Sequence, residues 1–269
     1  RGIIVQSGND ASIVVAEGIS GTESAFAEEL NQRARELGMT NSYFVNASGW
    51  PHDDHMTTAR DLAALARATI ENFPEYYHYY AEKSFTYNGI RQANRNPTLD
   101  RNLGADGLKT GHTSAAGYGL TTSAIRNGRR LILVLNGLPS STERATEAAN
   151  MLDWGYQEFV NYALFKPGEK VTDAKVWMGT RATVGLVIEK GLTLTLARKA
   201  RKGMTVKVAF DQPVPAPIKK GERLALLKVD VPGREPVEVP LLAGGAVERL
   251  GLFSRLAAAL KFILWGDTG

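Results

Sequence analysis

The sequence predicts an α+β multidomain protein: a mixed helix-and-strand domain over residues 1–165, a small all-β domain over 166–245 and an amphipathic helix over 246–269. Three observations lead there. Helix-spaced and strand-spaced apolar patterns alternate as far as Phe165. From Lys166-Pro167-Gly168 onward the chain breaks into short strand-like runs between Gly and Pro turns. The last stretch returns to helical spacing with its apolar residues gathered on one arc.

In the first region the short apolar run Ile13–Ala16, which follows Ser7-Gly8-Asn9, reads as helical. Thr22 to Leu37 is a second helix, with Phe26, Leu30, Ala34 and Leu37 at helix spacing and Gly38 as its stop. Thr58 starts a third, with Asp61 completing a capping box and Leu62, Leu65, Ala66 and Ile70 as its buried stripe. Tyr118–Ala124 and Arg130–Leu138 are strands, and Asn127-Gly128 between them is a hairpin signal. Glu143 to Tyr162 is helical again, with Ala148, Leu152 and Phe159 among its apolar positions. In the second region the strand runs include Lys175–Met178, Leu192–Ala197, Met204–Phe210, Arg223–Val229 and Val237–Leu242.

On a helical wheel of Ala246–Trp265, Leu250, Leu252, Phe253, Leu256, Leu260, Ile263 and Leu264 share one arc. Glu248, Ser254, Arg255 and Lys261 lie opposite or at its edge, and Arg249 is the exception inside it. Two readings are open: a terminal helix docked on the β-domain, or an anchor lying in the plane of a membrane surface. A basic polar face, a Trp end and a chain-terminal position favour the anchor.

Composition narrows the function classes. The chain has 269 residues, 43% of them hydrophobic and 22% charged, enough for a sizeable core and too few charges for a disordered chain. The net charge of +4 suits an anionic surface, but no Lys/Arg run or aromatic-basic module points to nucleic acid. There is no cysteine, which excludes disulfides, thiolate zinc sites and thiol catalysis. No uninterrupted apolar run approaches the roughly 20 residues of a spanning helix. The opening Arg1-Gly2-Ile3-Ile4-Val5 reads as the inside of an element, with neither Met nor leader, and suggests a chain whose beginning lies elsewhere.

Two short motifs carry the chemistry. Ser7-Gly8-Asn9 precedes a helical run, and Lys109-Thr110-Gly111 sits just before the predicted hairpin. Either alone is ordinary turn chemistry. Serine acyl-transferases that react with penicillin use Ser-x-x-Lys, then Ser-x-Asn, then Lys-Thr-Gly. The second and third are here in that order, about a hundred residues apart. No serine is followed three positions later by a lysine.

With Asn94-Arg95-Asn96, the run Asp106-Gly107-Leu108-Lys109-Thr110-Gly111-His112-Thr113, Thr58-Ala59-Arg60-Asp61 and Asp153-Trp154-Gly155-Tyr156, the chain resembles low-molecular-mass penicillin-binding proteins of the penicillin-binding protein 5 type, the D-alanyl-D-alanine carboxypeptidases. The resemblance covers essentially the whole chain. It implies a transpeptidase/β-lactamase-like helix–sheet–helix domain, then the β-domain, then an anchoring helix. It implies removal of the last D-Ala from peptidoglycan stem peptides ending in D-Ala-D-Ala, trapping by β-lactam antibiotics, and a place in the bacterial periplasm, peripherally attached to the inner membrane. No cofactor or metal is implied. The acylated serine and its lysine belong upstream of Arg1.

The resemblance also assigns roles. Ser7 relays a proton toward the leaving amine; Asn9 bonds the substrate amide and the upstream lysine; Lys109 keeps a positive charge in the cleft. Thr110 donates its hydroxyl to the terminal carboxylate, Gly111 lets the strand approach the ligand, and the His112 N–H is one oxyanion donor. Arg144 matches an arginine that contacts the carboxylate; its plain alternative is a helix-surface ion pair with Glu143 or Glu147. Arg95 has a substrate contact or a structural role open to it, with the structural one preferred. For Ser7, Asn9 and Lys109 the plain alternatives are a helix-entry serine, an N-cap and a solvated lysine. His52-Asp53-Asp54-His55 gathers metal-type ligands, but Gly49, Trp50 and Pro51 beside it argue for a loop. Two rival functions remain: a β-lactamase sharing the motifs, or a non-catalytic wall-binding scaffold.

Overall fold

The computed structural model describes the backbone of residues 1–265 and the side chains of residues 1–260 and 263. The chain divides into two compact units, Arg1–Gln157 and Glu158–Gly269.

In the first unit three helices come early: α1 (Asn9–Ser20), α2 (Glu23–Glu36) and α3 (Ala59–Asn72). Thr22 caps α2 by accepting from the Ala25 N–H at 3.1 Å, and Gly38, at φ +76°, follows its last turn. Thr58 caps α3 by accepting from the Asp61 N–H at 3.2 Å. The reciprocal half of the predicted capping box does not form. Asp61 is buried and accepts instead from the Asn41 N–H at 2.9 Å and the Ser42 hydroxyl at 2.7 Å, tying α3 to the preceding loop. The short helix α4 (Pro74–Tyr77) and a 3₁₀ turn lead to a hairpin of β1 (Ser84–Tyr87) and β2 (Ile90–Ala93).

The site is built on a three-stranded antiparallel sheet of β3 (Ala105–Thr113), β4 (Gly117–Arg126) and β5 (Arg129–Leu138), in that order, followed by α5 (Ser141–Glu158). Asn127 and Gly128 join β4 to β5 with φ of +51° and +74°, the two left-handed residues that a tight hairpin turn requires. Ile132 packs with Ala66 of α3 and Leu108, whereas its neighbour Leu131 meets Gly155 of α5, where an added Cβ would lie 3.0 Å from the Leu131 methyl. Successive strand residues face opposite ways. So α3 and α5 cover opposite faces, giving the expected helix–sheet–helix order. The predicted α3 stripe is only partly buried: Ala66 is sealed, but Leu65 is 38% exposed.

The second unit contains β6 (Phe159–Phe165), β7 (Lys170–Trp177), β8 (Thr183–Ile188), β9 (Leu192–Ala197), β10 (Thr205–Ala209), β11 (Val214–Pro215), β12 (Arg223–Asp230) and β13 (Val237–Ala243). Six form a sheet ordered β10-β12-β13-β8-β7-β11; β6 and β9 pair separately. Leu186, Ile188, Leu227, Val229 and Leu241 are fully buried at its core. Two expectations need correction. The helix predicted through Tyr162 stops at Glu158, because Phe159–Phe165, rich in β-formers, pairs antiparallel with β9 from Phe159 opposite Ala197, with one register shift between Ala163 and Phe165. The first unit therefore ends at Gln157 rather than at residue 165. The terminal helix α6 (Leu252–Trp265) also begins later than Ala246. Val247 is buried and bridges to Ile218, and Arg249 bridges to Gly179, which explains why Arg249 did not fit the wheel. The side chains of Lys261, Leu264 and Trp265, read onto that helix's faces, lie outside the described residues.

Candidate active site

Ser7 closes the entry to α1 with φ +61°, a left-handed backbone uncommon for a residue with a Cβ. Its hydroxyl points at the end strand of the three-stranded sheet, where the Lys109 ammonium donates to Ser7 Oγ and, at 2.9 Å, to the carbonyl of Thr110. The two motifs thus meet across 102 residues of sequence. Burial, followed by the charges of Arg95 and Arg144, pulls the Lys109 ammonium down to about 8. Three cations therefore converge on one cleft, which is electrostatically poised for an anion.

Beside Lys109 and Thr110 lies a cavity of about 380 Å³ with apolar walls that include Ile3, Ile4, Leu62, Leu65 and Leu120. Thr110 is half-buried and Gly111 exposed. A Cβ on Gly111 would meet no protein atom within 4 Å, so internal packing does not demand a glycine there. His112 stacks on Tyr118 with ring centroids 4.0 Å apart. Arg144, at the start of α5, is 8% exposed and lies 5.5 Å from the centre of the same Tyr118 ring. Its Nη1 reaches the Gly119 carbonyl at 3.5 Å, and its Nε is buried without a hydrogen-bond partner among the described residues. The alternative ion pair with Glu143 or Glu147 is not among its described contacts. Asn9 is the exposed first residue of α1, whose N-cap is Gly8, so it is not the cap. Arg95 is exposed and reaches the cleft through its charge.

Two polar assemblies that sequence reasoning missed support β3. Asp106 accepts from the Tyr77 hydroxyl at 3.0 Å and from both terminal nitrogens of Arg130, at 2.9 and 2.8 Å. Burial, then the Asp106 charge, pushes the Tyr77 hydroxyl well above its usual range. Next to it, Thr122 donates to the Gly107 carbonyl at 2.7 Å and meets Thr98 Oγ1 at 2.9 Å, and Asn96 accepts from Thr98. Asn96 thus gives the Asn94-Arg95-Asn96 run a structural task. Only the Asp-Gly and Asn-x-Asn runs hinted at either assembly, since their partners are distant in sequence. At the other candidate cluster, His52 Nδ1 lies 3.9 Å from Asp54, while the His55 ring packs edge-on against Phe44. Among the described residues no three His, Cys, Asp or Glu side chains gather as a metal would require.

Residues 1–139 match the peptidase S11 family model, D-alanyl-D-alanine carboxypeptidase, and residues 159–249 match the penicillin-binding protein 5 C-terminal domain. The chain is 37% identical to the D-alanyl-D-alanine carboxypeptidase DacD of Escherichia coli K12, over 96% of this chain and 67% of that one. It thus spans about two thirds of that curated relative. Among solved structures it is similar to penicillin-binding protein 5 from Haemophilus influenzae, with TM-score 0.80, 32% identity, and 92% of this chain and 73% of that one covered. It is also similar to the carboxypeptidase DacD from Francisella tularensis, with TM-score 0.75, 30% identity, and 92% and 74% covered.

Proposed function

The chain belongs to the D-alanyl-D-alanine carboxypeptidase family, and on that premise we propose that its first unit supplies the substrate-holding wall of a serine-type active site that removes the terminal D-Ala from peptidoglycan stem peptides. The observation that carries this reading is the Lys109 ammonium on the Ser7 hydroxyl, at the lip of the cavity. The 269 residues contain no Ser-x-x-Lys, so the attacking serine and its lysine are supplied from outside them.

In this mechanism the substrate's terminal carboxylate enters the field of Lys109, Arg144 and Arg95 and takes a hydrogen bond from the Thr110 hydroxyl. Gly111 leaves room for the ligand backbone along the strand. The His112 N–H donates to the carbonyl oxygen as it becomes tetrahedral. Ser7, held by Lys109, passes a proton to the departing D-Ala nitrogen while the C–N bond breaks. Asn9 bonds the substrate amide. Water then cleaves the acyl ester. A β-lactam presents the same carboxylate and carbonyl but keeps its leaving nitrogen tethered, so the ester persists.

We further propose that α6 anchors the protein to the periplasmic face of the inner membrane. Leu252, Phe253, Leu256, Leu260 and Ile263 are all at least 56% exposed, with Phe253 at 85%. No described helix is long and apolar enough to cross a bilayer, so the fitting mode is in-plane. Because Val247 and Arg249 pair into the β-domain, the cut belongs before Leu252, and it should release the protein from inner-membrane vesicles with soluble activity intact; equal vesicle binding after the cut sinks the anchor.

The test of the active site is the intact mass of the full gene product before and after a labelled penicillin, with and without Lys109→Ala. A long-lived adduct that forms at least about tenfold more slowly in the variant supports the assignment. Rapid release of the label points instead to a β-lactamase, and absence of any adduct to a wall-binding scaffold.

A further inference from the structure

The cation at Arg144 is held in an unusual way. It is nearly buried, its one described hydrogen bond is at the long limit, and its Nε has no partner among the described residues. A buried guanidinium with unspent donors is costly unless an anion completes it. Meanwhile the Tyr118 ring faces it, and a ring holds a cation through its quadrupole without consuming a single N–H. Tyr118 also lies directly opposite His112 in the β3–β4 register and stacks on that imidazole. One ring therefore connects the strand that carries Thr110 with the helix that carries Arg144.

We propose that Tyr118 is a positioning residue that gives the site its preference for a free C-terminal carboxylate. The ring parks Arg144 with most of its donors unspent, at a spacing from Thr110 set by the His112 stack, so that a carboxylate can bridge the two. An amide, which lacks the charge and one acceptor, gains little from this arrangement. The inference rests on the carboxypeptidase reading above.

The experiment uses the full gene product and compares a peptide ending in D-Ala-D-Ala with its C-terminal amide, read as KM for each or as an inhibition constant where the amide is not cleaved. Tyr118→Leu should raise KM for the acid about tenfold, leave kcat within about twofold and leave the amide unchanged, shrinking the preference accordingly. Tyr118→Phe keeps the ring and should behave as wild type. If Tyr118→Leu does not fold, Tyr118→Gln carries the same expectation. An undiminished preference in the ring-less variant, or equal damage from Tyr118→Phe, overturns the proposal. Wild-type protein that forms a penicilloyl adduct while Tyr118→Leu keeps its preference overturns this inference alone; wild type with neither adduct nor turnover overturns the carboxypeptidase reading and this inference with it.

Discussion

The first unit buries Asp61, Asn96, Thr98, Thr122, Ser123 and Arg144, whereas the buried cluster of the second, from Ala174 to Val247, is apolar throughout. The difference is one of purpose. Polar groups in a core must be satisfied one by one, which costs stability when any partner is lost but fixes geometry closely. Apolar packing tolerates exchange of one hydrocarbon for another and gives stability without direction. The unit proposed to hold the carboxylate uses the first kind of interior, and the buried cluster of the second unit uses the other.

That contrast can be tested by substitution. The largest expected effect is in the second unit: Leu227→Ala, at a fully buried position, should cost about 3 kcal/mol in equilibrium denaturation through the cavity it leaves. Next comes Thr122→Val in the first unit. It conserves shape but takes from the Gly107 carbonyl its hydroxyl donor and from the Thr98 hydroxyl one of its two partners, Asn96 being the other, and should cost about 2 kcal/mol with the strand behind Lys109 loosened. Leu227→Met, also conservative in volume, should cost about 1 kcal/mol or less. If Thr122→Val proves as mild as Leu227→Met, the two interiors do not differ as described.

A smaller effect concerns pH. Lys109 is charged below about 8 and loses its proton above it, so KM for the acid peptide should rise as pH passes from 7 to 9, and Lys109→Arg should flatten that limb. The same depression has a stability sign. Between about 8 and the ordinary 10.5 the unfolded chain binds more protons at this lysine than the folded one, so the contribution of Lys109 to folding improves as pH rises through that window.

The sequence made legible what depends on near neighbours. Thr22 and Gly38 bracket α2, Asn127-Gly128 turns β4 into β5, and the spacing of Ser7 from Lys109 was readable because the motif order is distinctive. What escaped depends on distant partners. Phe159–Phe165 continues a helical pattern until β9 offers it a ladder. Asp61 satisfies the capping-box pattern, yet Asn41 and Ser42 claim its carboxylate. Tyr118 looks like any strand aromatic until the register sets it against His112 and the start of α5 brings Arg144 to it.

The contact between Ser7 and Lys109 also dictates when the cleft can exist. β4 and β5 meet across a two-residue turn, so their pairing needs only local chain. The Ser7–Lys109 contact closes a loop of 102 residues, whose closure entropy is recovered only once the helices and the sheet between them are in place. Loop-closure entropy therefore favours the hairpin forming before the Ser7–Lys109 contact during folding. A ligand that bridges Ser7 and Lys109 acts as a clasp on everything between them, and its binding strengthens the whole first unit rather than the cleft alone.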